Sequence, residues 1–175
     1  MLRSRIRNLL LTVPVAVSAI ALAGLTATSA SAATTAPAGT AAAGWFHIVN
    51  FNSALCLGIS GGDDDAPAVQ WPCENVDNQE WSWGAEDGFS PAYRRLENNN
   101  NQCLGVAGGS REAGARVYGW TCNGDSNQYW YANGNVIYNF SSGLVLGVAG
   151  NSTEPGAAVV QWPANGALNQ VWTGP

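Results

Sequence analysis

The chain has 175 residues, 11% of them charged and 10% aromatic, with eight tryptophans and a formal net charge of −5. That composition describes a globular protein, and the length suits one domain rather than a binding domain joined to a second, catalytic one. With no lysine and no basic stripe interleaved with the tryptophans, the sequence excludes a nucleic-acid groove.

At the N-terminus, Arg3, Arg5 and Arg7 precede an apolar run from Leu9 to Leu25, followed by small residues ending in Ala30, Ser31 and Ala32. This pattern predicts a secretory signal peptide over residues 1–32, cut after Ala32, and hence a secreted, extracellular protein. Thr12, Pro14 and Ser18 interrupt the run, which is short for a membrane span of about 20 apolar residues. No membrane attachment is expected after cleavage. Loss of the three arginines leaves four against twelve acidic residues, a net charge of −8. Residues 33–43 are an Ala/Thr/Pro/Gly tract without periodicity, read as a leader or linker, and structure is expected to begin at Gly44.

From there the chain repeats. CLGISGGDDDAPAVQWPCENVDNQEW from Cys56 to Trp81 returns as CLGVAGGSREAGARVYGWTCNGDSNQYW from Cys103 to Trp130, and as VLGVAGNSTEPGAAVVQWPANGALNQVW from Val145 to Trp172. Trp71 and Trp81, Trp120 and Trp130, and Trp162 and Trp172 are each ten residues apart. A unit recurring at 49 and then 42 residues is the mark of a repeat architecture, with repeats over about 44–90, 91–132 and 133–175.

Each repeat reads as four short strands. In the first, Trp45 to Val49 leads into Leu55 to Ile59; Asp63 to Asp65 and Pro67 form a loop; Ala68 to Trp71 and a strand around Glu80 to Ser82 follow. The second gives Tyr93 to Leu96, Cys103 to Val106, Arg116 to Trp120 and Tyr129 to Tyr131. The third gives Val136 to Phe140, Leu144 to Val148, Ala158 to Trp162 and Val171 to Thr173. Twelve short strands with Gly/Asn turns and no helical stretch after residue 44 argue for a closed all-β fold with threefold pseudo-symmetry.

Four cysteines in an exported chain imply two disulfides, with three connectivities open. The repeat selects among them. Cys56 and Cys73 occupy the places of Cys103 and Cys122, and the third repeat has Val145 and Ala164 there. A pair replaced together by apolar residues is a pair in contact, so Cys56–Cys73 and Cys103–Cys122 are predicted. Their wide spacings do not suit a metal or redox site.

The QW pair, the NQxW ten residues on and the upstream CLG resemble the ricin B-type lectin domain, also known as the family thirteen carbohydrate-binding module, over about residues 44–175. The resemblance implies a β-trefoil of twelve strands with Trp81, Trp130 and Trp172 in its core. It also implies one shallow sugar site per repeat. The aromatic platforms would be Trp71, Trp120 and Trp162, and the Asn ligands Asn78, Asn127 and Asn169, supported by Gln79, Gln128 and Gln170. The chemistry is coherent, since a sugar presents a flat CH face to a ring and hydroxyls to fixed polar groups. Read from the residues alone, the platforms are equally partial core, and the Asn-Gln pairs equally ties from turn to backbone.

The sequence departs from the sugar-binding pattern at Gly58, Gly105 and Gly147, where such members commonly carry Asp. The position two before each platform is likewise Val69, Tyr118 and Val160. Asp63 to Asp65, Glu112 and Glu154 are either replacement acceptors or solvated loop charges. They lack the spaced ladder of a calcium loop, and no metal or other cofactor is assigned. His47 is the sole histidine, no carboxylate pair recurs, and there is no G-x-S-x-G, so no enzyme is expected. The expected function is non-catalytic binding of polysaccharide or glycan by a monomer. The alternative is a protein-binding or inhibitor-type trefoil with vestigial sugar sites and a protein partner.

Overall fold

The computed structural model describes residues 44–175 except 87, 89 and 91, so the expected signal peptide and leader, residues 1–43, lie outside the described residues. Alternating short apolar runs and Gly/Asn turns give twelve strands. They are β1 (Val49–Asn50), β2 (Cys56–Ile59), β3 (Ala66–Trp71) and β4 (Trp81–Glu86) in the first repeat. In the second they are β5 (Arg94–Asn98), β6 (Gln102–Val106), β7 (Val117–Thr121) and β8 (Tyr129–Asn133). In the third they are β9 (Val136–Asn139), β10 (Val145–Val148), β11 (Val159–Trp162) and β12 (Trp172–Thr173).

The register repeats as strictly as the sequence does. The second and third strands of each repeat form an antiparallel hairpin in which Cys56 faces Trp71, Cys103 faces Trp120 and Val145 faces Trp162. The last strand of each repeat pairs with the first strand of the next, opposing Trp81 to Asn98 and Trp130 to Asn139. The third such pair, Trp172 with Asn50, joins β12 to β1, and the Trp172 backbone N–H donates to the Asn135 carbonyl at 2.7 Å just before β9, so that the sheet curls back on itself. This is the β-trefoil, and closure disposes of the end strands that would otherwise leave backbone groups unpaired.

One tryptophan from each repeat meets at the centre. Trp81, Trp130 and Trp172 are fully buried among Leu57, Leu104, Leu146, Ile48, Leu96 and Ile137. Each indole N–H donates to a backbone carbonyl, Leu57 at 2.9 Å, Leu104 at 2.8 Å and Leu146 at 3.0 Å, so the rings bury their area without an orphaned donor. Both predicted disulfides are formed, Cys56–Cys73 and Cys103–Cys122, closing separations of 17 and 19 residues. Each contributes about 3 kcal/mol in the chain-entropy picture. In the third repeat, Val145 fills the buried place of the first cysteine.

Several local expectations are corrected. Pro67 is in β3, opposite Tyr118 of β7, rather than in the loop before the strand. The opening strand of the first repeat shrinks to Val49–Asn50, and Phe46 contributes only an isolated bridge to Trp81. Four single 3-10 turns occur where no helical stretch was expected: Ala107–Gly109, Ser126–Gln128, Ala149–Asn151 and Leu168–Gln170. The two that contain the NQ pair tuck a glutamine inward just before a core tryptophan.

Candidate functional site

Each repeat carries a surface pocket just outside its second hairpin. The first, of about 250 Å³, is lined by Gly58, Val69, Trp71, Asn78 and Gln79 among others. The second, about 390 Å³, includes Trp120, Asn123, Asp125, Asn127 and Gln128. The third is the largest at about 500 Å³, with Gly147, Val160, Trp162, Asn165, Asn169 and Gln170 on its walls. The structure therefore brings together, repeat by repeat, the platform, Asn and Gln that the sequence set apart.

Their roles differ. Gln79, Gln128 and Gln170 are buried, and both ends of each carboxamide are engaged. The Oε1 atoms accept from the backbone N–H of Glu74 at 2.9 Å, Asn123 at 3.0 Å and Asn165 at 3.0 Å. The Nε2 atoms donate to the carbonyls of Pro72, Thr121 and Pro163 at 3.1, 3.0 and 2.9 Å. These glutamines brace the turn that forms the pocket wall. Asn78, Asn127 and Asn169 donate through Nδ2 to the carbonyls of Ile59, Val106 and Val148, each at 2.7 Å. Among the described residues nothing donates to their Oδ1 atoms, which are fixed in direction and available to a hydroxyl.

Of the glycines that replace the expected acid, Gly58 and Gly147 line the first and third pockets, whereas Gly105 does not line the second. A Cβ built on Gly58, Gly105 or Gly147 would stand 3.0, 3.1 and 3.1 Å from the Cγ of Gln79, Gln128 and Gln170. Those glutamines are held at both ends, so a larger residue requires the whole brace to yield by a few tenths of an ångström. The first and third pockets thus have a floor without a side chain.

The platform tryptophans are not equivalent. Trp71 and Trp162 are 47% and 46% exposed, whereas Trp120 is only partly so and packs edge-on to Tyr118, ring centroids 6.4 Å apart. Each platform is also supported from another repeat. The backbone N–H of Gly156 donates to the Gln70 carbonyl at 2.8 Å, that of Gly114 to Gln161 at 2.8 Å, and that of Asp65 to Gly119 at 3.0 Å. Glu154 is thus brought beside the first site and Glu112 beside the third, rather than to the sites of their own repeats. Their carbonyls accept from Gln70 and Gln161 Nε2. Asp64 is likewise held by the second repeat, accepting from the Thr121 N–H at 2.6 Å and from its hydroxyl.

Asp125, a carboxylate that lines the second pocket, lies after the third strand and is not among the acids that follow the second strand. Its equivalents Val76 and Ala167 are apolar, and that contrast within the repeat was the available signal. Glu97, Cys103 and Cys122 bring their ligand-type atoms within 4.8 Å of one another, but both cysteines are in the disulfide and offer no thiolate to a metal. Of two glycosylation triplets, Asn139-Phe140-Ser141 is inaccessible because Asn139 is fully buried and bonded to the Asn127 carbonyl. Asn151 of the other is exposed.

The ricin-type beta-trefoil lectin domain family matches residues 44–172. The chain belongs to this family. Among solved structures, the lectin domain is similar to the designed threefold-symmetric protein ThreeFoil, with 27% identity and a TM-score of 0.69 over 74% of this chain and 96% of that one. It is also similar to an exo-beta-1,3-galactanase from Clostridium thermocellum, at 28% identity and TM-score 0.68, covering 74% of this chain but 29% of the enzyme. The ricin B-like lectin of Macrolepiota procera, solved with lactose, shares the fold at 22% identity and TM-score 0.62, over 75% and 94% of the two chains. No curated protein matches the chain by sequence.

Proposed function

We propose that this lectin domain is an exported, non-catalytic module that binds neutral polysaccharide or glycan by stacking sugar faces on Trp71 and Trp162. The observation that carries the reading is the pair of half-exposed indoles, each standing over a pocket with a bare glycine floor and a fixed Asn carbonyl. A large ring left in water beside a concave wall is a binding surface by the usual physics of aromatic contact. Family membership and the lactose-bound relative support a sugar as the occupant.

The net charge of −5, or −8 after removal of the N-terminal arginines, favours neutral ligands over anionic ones. Each site is shallow and offers few polar groups, so single-site affinity is weak. Several sites on one rigid body convert weak contacts into avidity on a repeating polymer. Secretion through the N-terminal segment places the module where such polymers occur.

The test is a glycan array with insoluble-polysaccharide pull-down of the chain from Ala33, beside a folded Trp71→Ala/Trp162→Ala variant. Binding by the native chain that the variant loses supports the reading. Absence of binding to any glycan by the native chain refutes it and leaves the trefoil as a protein-binding scaffold.

A further inference from the structure

We infer that residue 65 sets the number of sugar sites with an open platform: Asp65 crowds Trp120 of the second repeat over its glycine floor, whereas Gly114 and Gly156 leave the other two platforms open. The inference rests on the reading of these pockets as sugar sites, although its structural part does not.

Where a platform stands open, its ring lies against a glycine of another repeat. A Cβ built on Gly156 would be 3.0 Å from Cζ3 of Trp71, and one on Gly114 would be 3.2 Å from Cζ3 of Trp162. Asp65 holds the corresponding place for Trp120. It lies six residues before the platform tryptophan of its own repeat, as Gly114 and Gly156 do. It has the same left-handed backbone, φ 70° against 86° and 80°. Its N–H makes the same bond to the residue preceding another repeat's platform, Gly119. By this equivalence the Cβ of Asp65 crowds the place that the indole edge takes at the other two sites, where a built Cβ would come within 3.0 to 3.2 Å of the ring. The loop has little freedom to retreat, because the neighbouring Asp64 carboxylate is bonded to both the N–H and the hydroxyl of Thr121.

Trp120 sits accordingly: its Cδ1 is 3.5 Å from where a Cβ on Gly105 would stand. Neither Trp71 nor Trp162 is among the nearest neighbours of Gly58 or Gly147, all of which lie within 3.8 Å. The linings agree. Gly58 with Val69, and Gly147 with Val160, line the first and third pockets, while Gly105 and Tyr118 are missing from the second. Trp120, edge-on to Tyr118, stands over that floor, and the roughly 390 Å³ of the second pocket is bounded instead by Trp120, Asn123 and Asp125.

Asp65→Gly is the decisive variant, because it removes the blocking Cβ at a φ that glycine adopts without strain. The first readout needs no ligand: N-bromosuccinimide oxidation of the folded protein, with each tryptophan followed by peptide mass spectrometry. In the native chain Trp71 and Trp162 are expected to react rapidly and Trp120 several-fold more slowly; in Asp65→Gly, Trp120 joins the fast group. Asp65→Ala, which keeps the Cβ, is expected to leave Trp120 slow. The second readout is titration calorimetry with the best oligosaccharide from the array, expected to give two sites in the native chain and three in Asp65→Gly. An unchanged Trp120 rate in Asp65→Gly, or a Trp120 freed by Tyr118→Val instead, overturns the assignment. Three sites in the native chain overturn it as well. Absence of heat in every variant, with the oxidation pattern as expected, upholds the gate and refutes the sugar reading alone.

Discussion

The exchange of one glutamine between neighbouring strands is the sharpest test of how this trefoil is assembled. In the first and third repeats the residue before the platform is Gln70 or Gln161, fully buried. Gln70 Nε2 holds the carbonyls of Ser152 and Glu154 at 3.1 and 3.0 Å, and Gln161 Nε2 holds those of Ser110 and Glu112 at 2.9 Å each. In the second repeat that residue is Gly119, and the carboxamide comes instead from Gln102 on β6, where the other repeats have Leu55 and Leu144. Gln102 Nε2 donates to the Asp63 carbonyl at 2.8 Å, and its Oε1 accepts from Asn98 at 3.0 Å. Ile59 fills the space over Gly119, where Val106 and Val148 are the smaller equivalents; a Cβ on Gly119 would be 2.9 Å from Ile59 Cγ2 and 3.2 Å from Gln102 Cδ. Replacing Gln102→Leu removes two neutral hydrogen bonds and strands buried partners, which costs about 2–3 kcal/mol. For a domain of this size that lowers the melting temperature by roughly 6–12 °C. Gly119→Gln alone overpacks the same space and costs about 1–3 kcal/mol. The triple variant Ile59→Val/Gln102→Leu/Gly119→Gln restores the arrangement of the other repeats and is expected to regain at least about 2 kcal/mol relative to the summed single effects. Urea melts of the series measure this coupling. Strict additivity refutes the view that the three positions form one exchangeable unit.

Other outcomes follow from the same geometry. Trp172→Phe leaves the Leu146 carbonyl without its donor and opens a void in the core, lowering stability by about 2–4 kcal/mol in a denaturant melt. Cys56→Val/Cys73→Ala copies the third repeat, so the variant is expected to fold but to lose up to about 3 kcal/mol, matched by reduction of that bond in the native chain. Trp162→Ala removes one stacking platform and weakens that site by roughly two- to tenfold, read as loss of one class of sites by calorimetry. Binding to a neutral polysaccharide is expected to change by less than about twofold between low and high salt, and retention on heparin at low salt contradicts the charge argument.

Much of the fold was legible because the repeat supplies its own internal comparison. Ten-residue Trp spacing fixed the hairpins, and the joint replacement of Cys56 and Cys73 by Val145 and Ala164 fixed the disulfides. Pro67 was misplaced because proline is a loop signal in general, yet it fits at the junction of β3 and β7, where the ladder is only two residues long. Within the site, the residue types were legible but their duties were not. Gln79, Gln128 and Gln170 are braces and Asn78, Asn127 and Asn169 face the pocket, a division that rests on which backbone atoms lie within 3.1 Å.

By itself, the sequence determined what local pattern and repetition can carry: three units, their strands, their core tryptophans and the three clusters of candidate groups. These depend on neighbours close along the chain or on equivalence between copies. Only the tertiary structure decided that each platform hairpin is bonded by another repeat, through Gly114, Gly156 and Asp65, and that Trp120 packs edge-on to Tyr118. Threefold closure brings together residues whose separation in the chain differs from site to site, some 85 positions for Trp71 and Gly156 but 48 for Trp162 and Gly114. No periodicity along the chain records such contacts, because packing across repeats creates them.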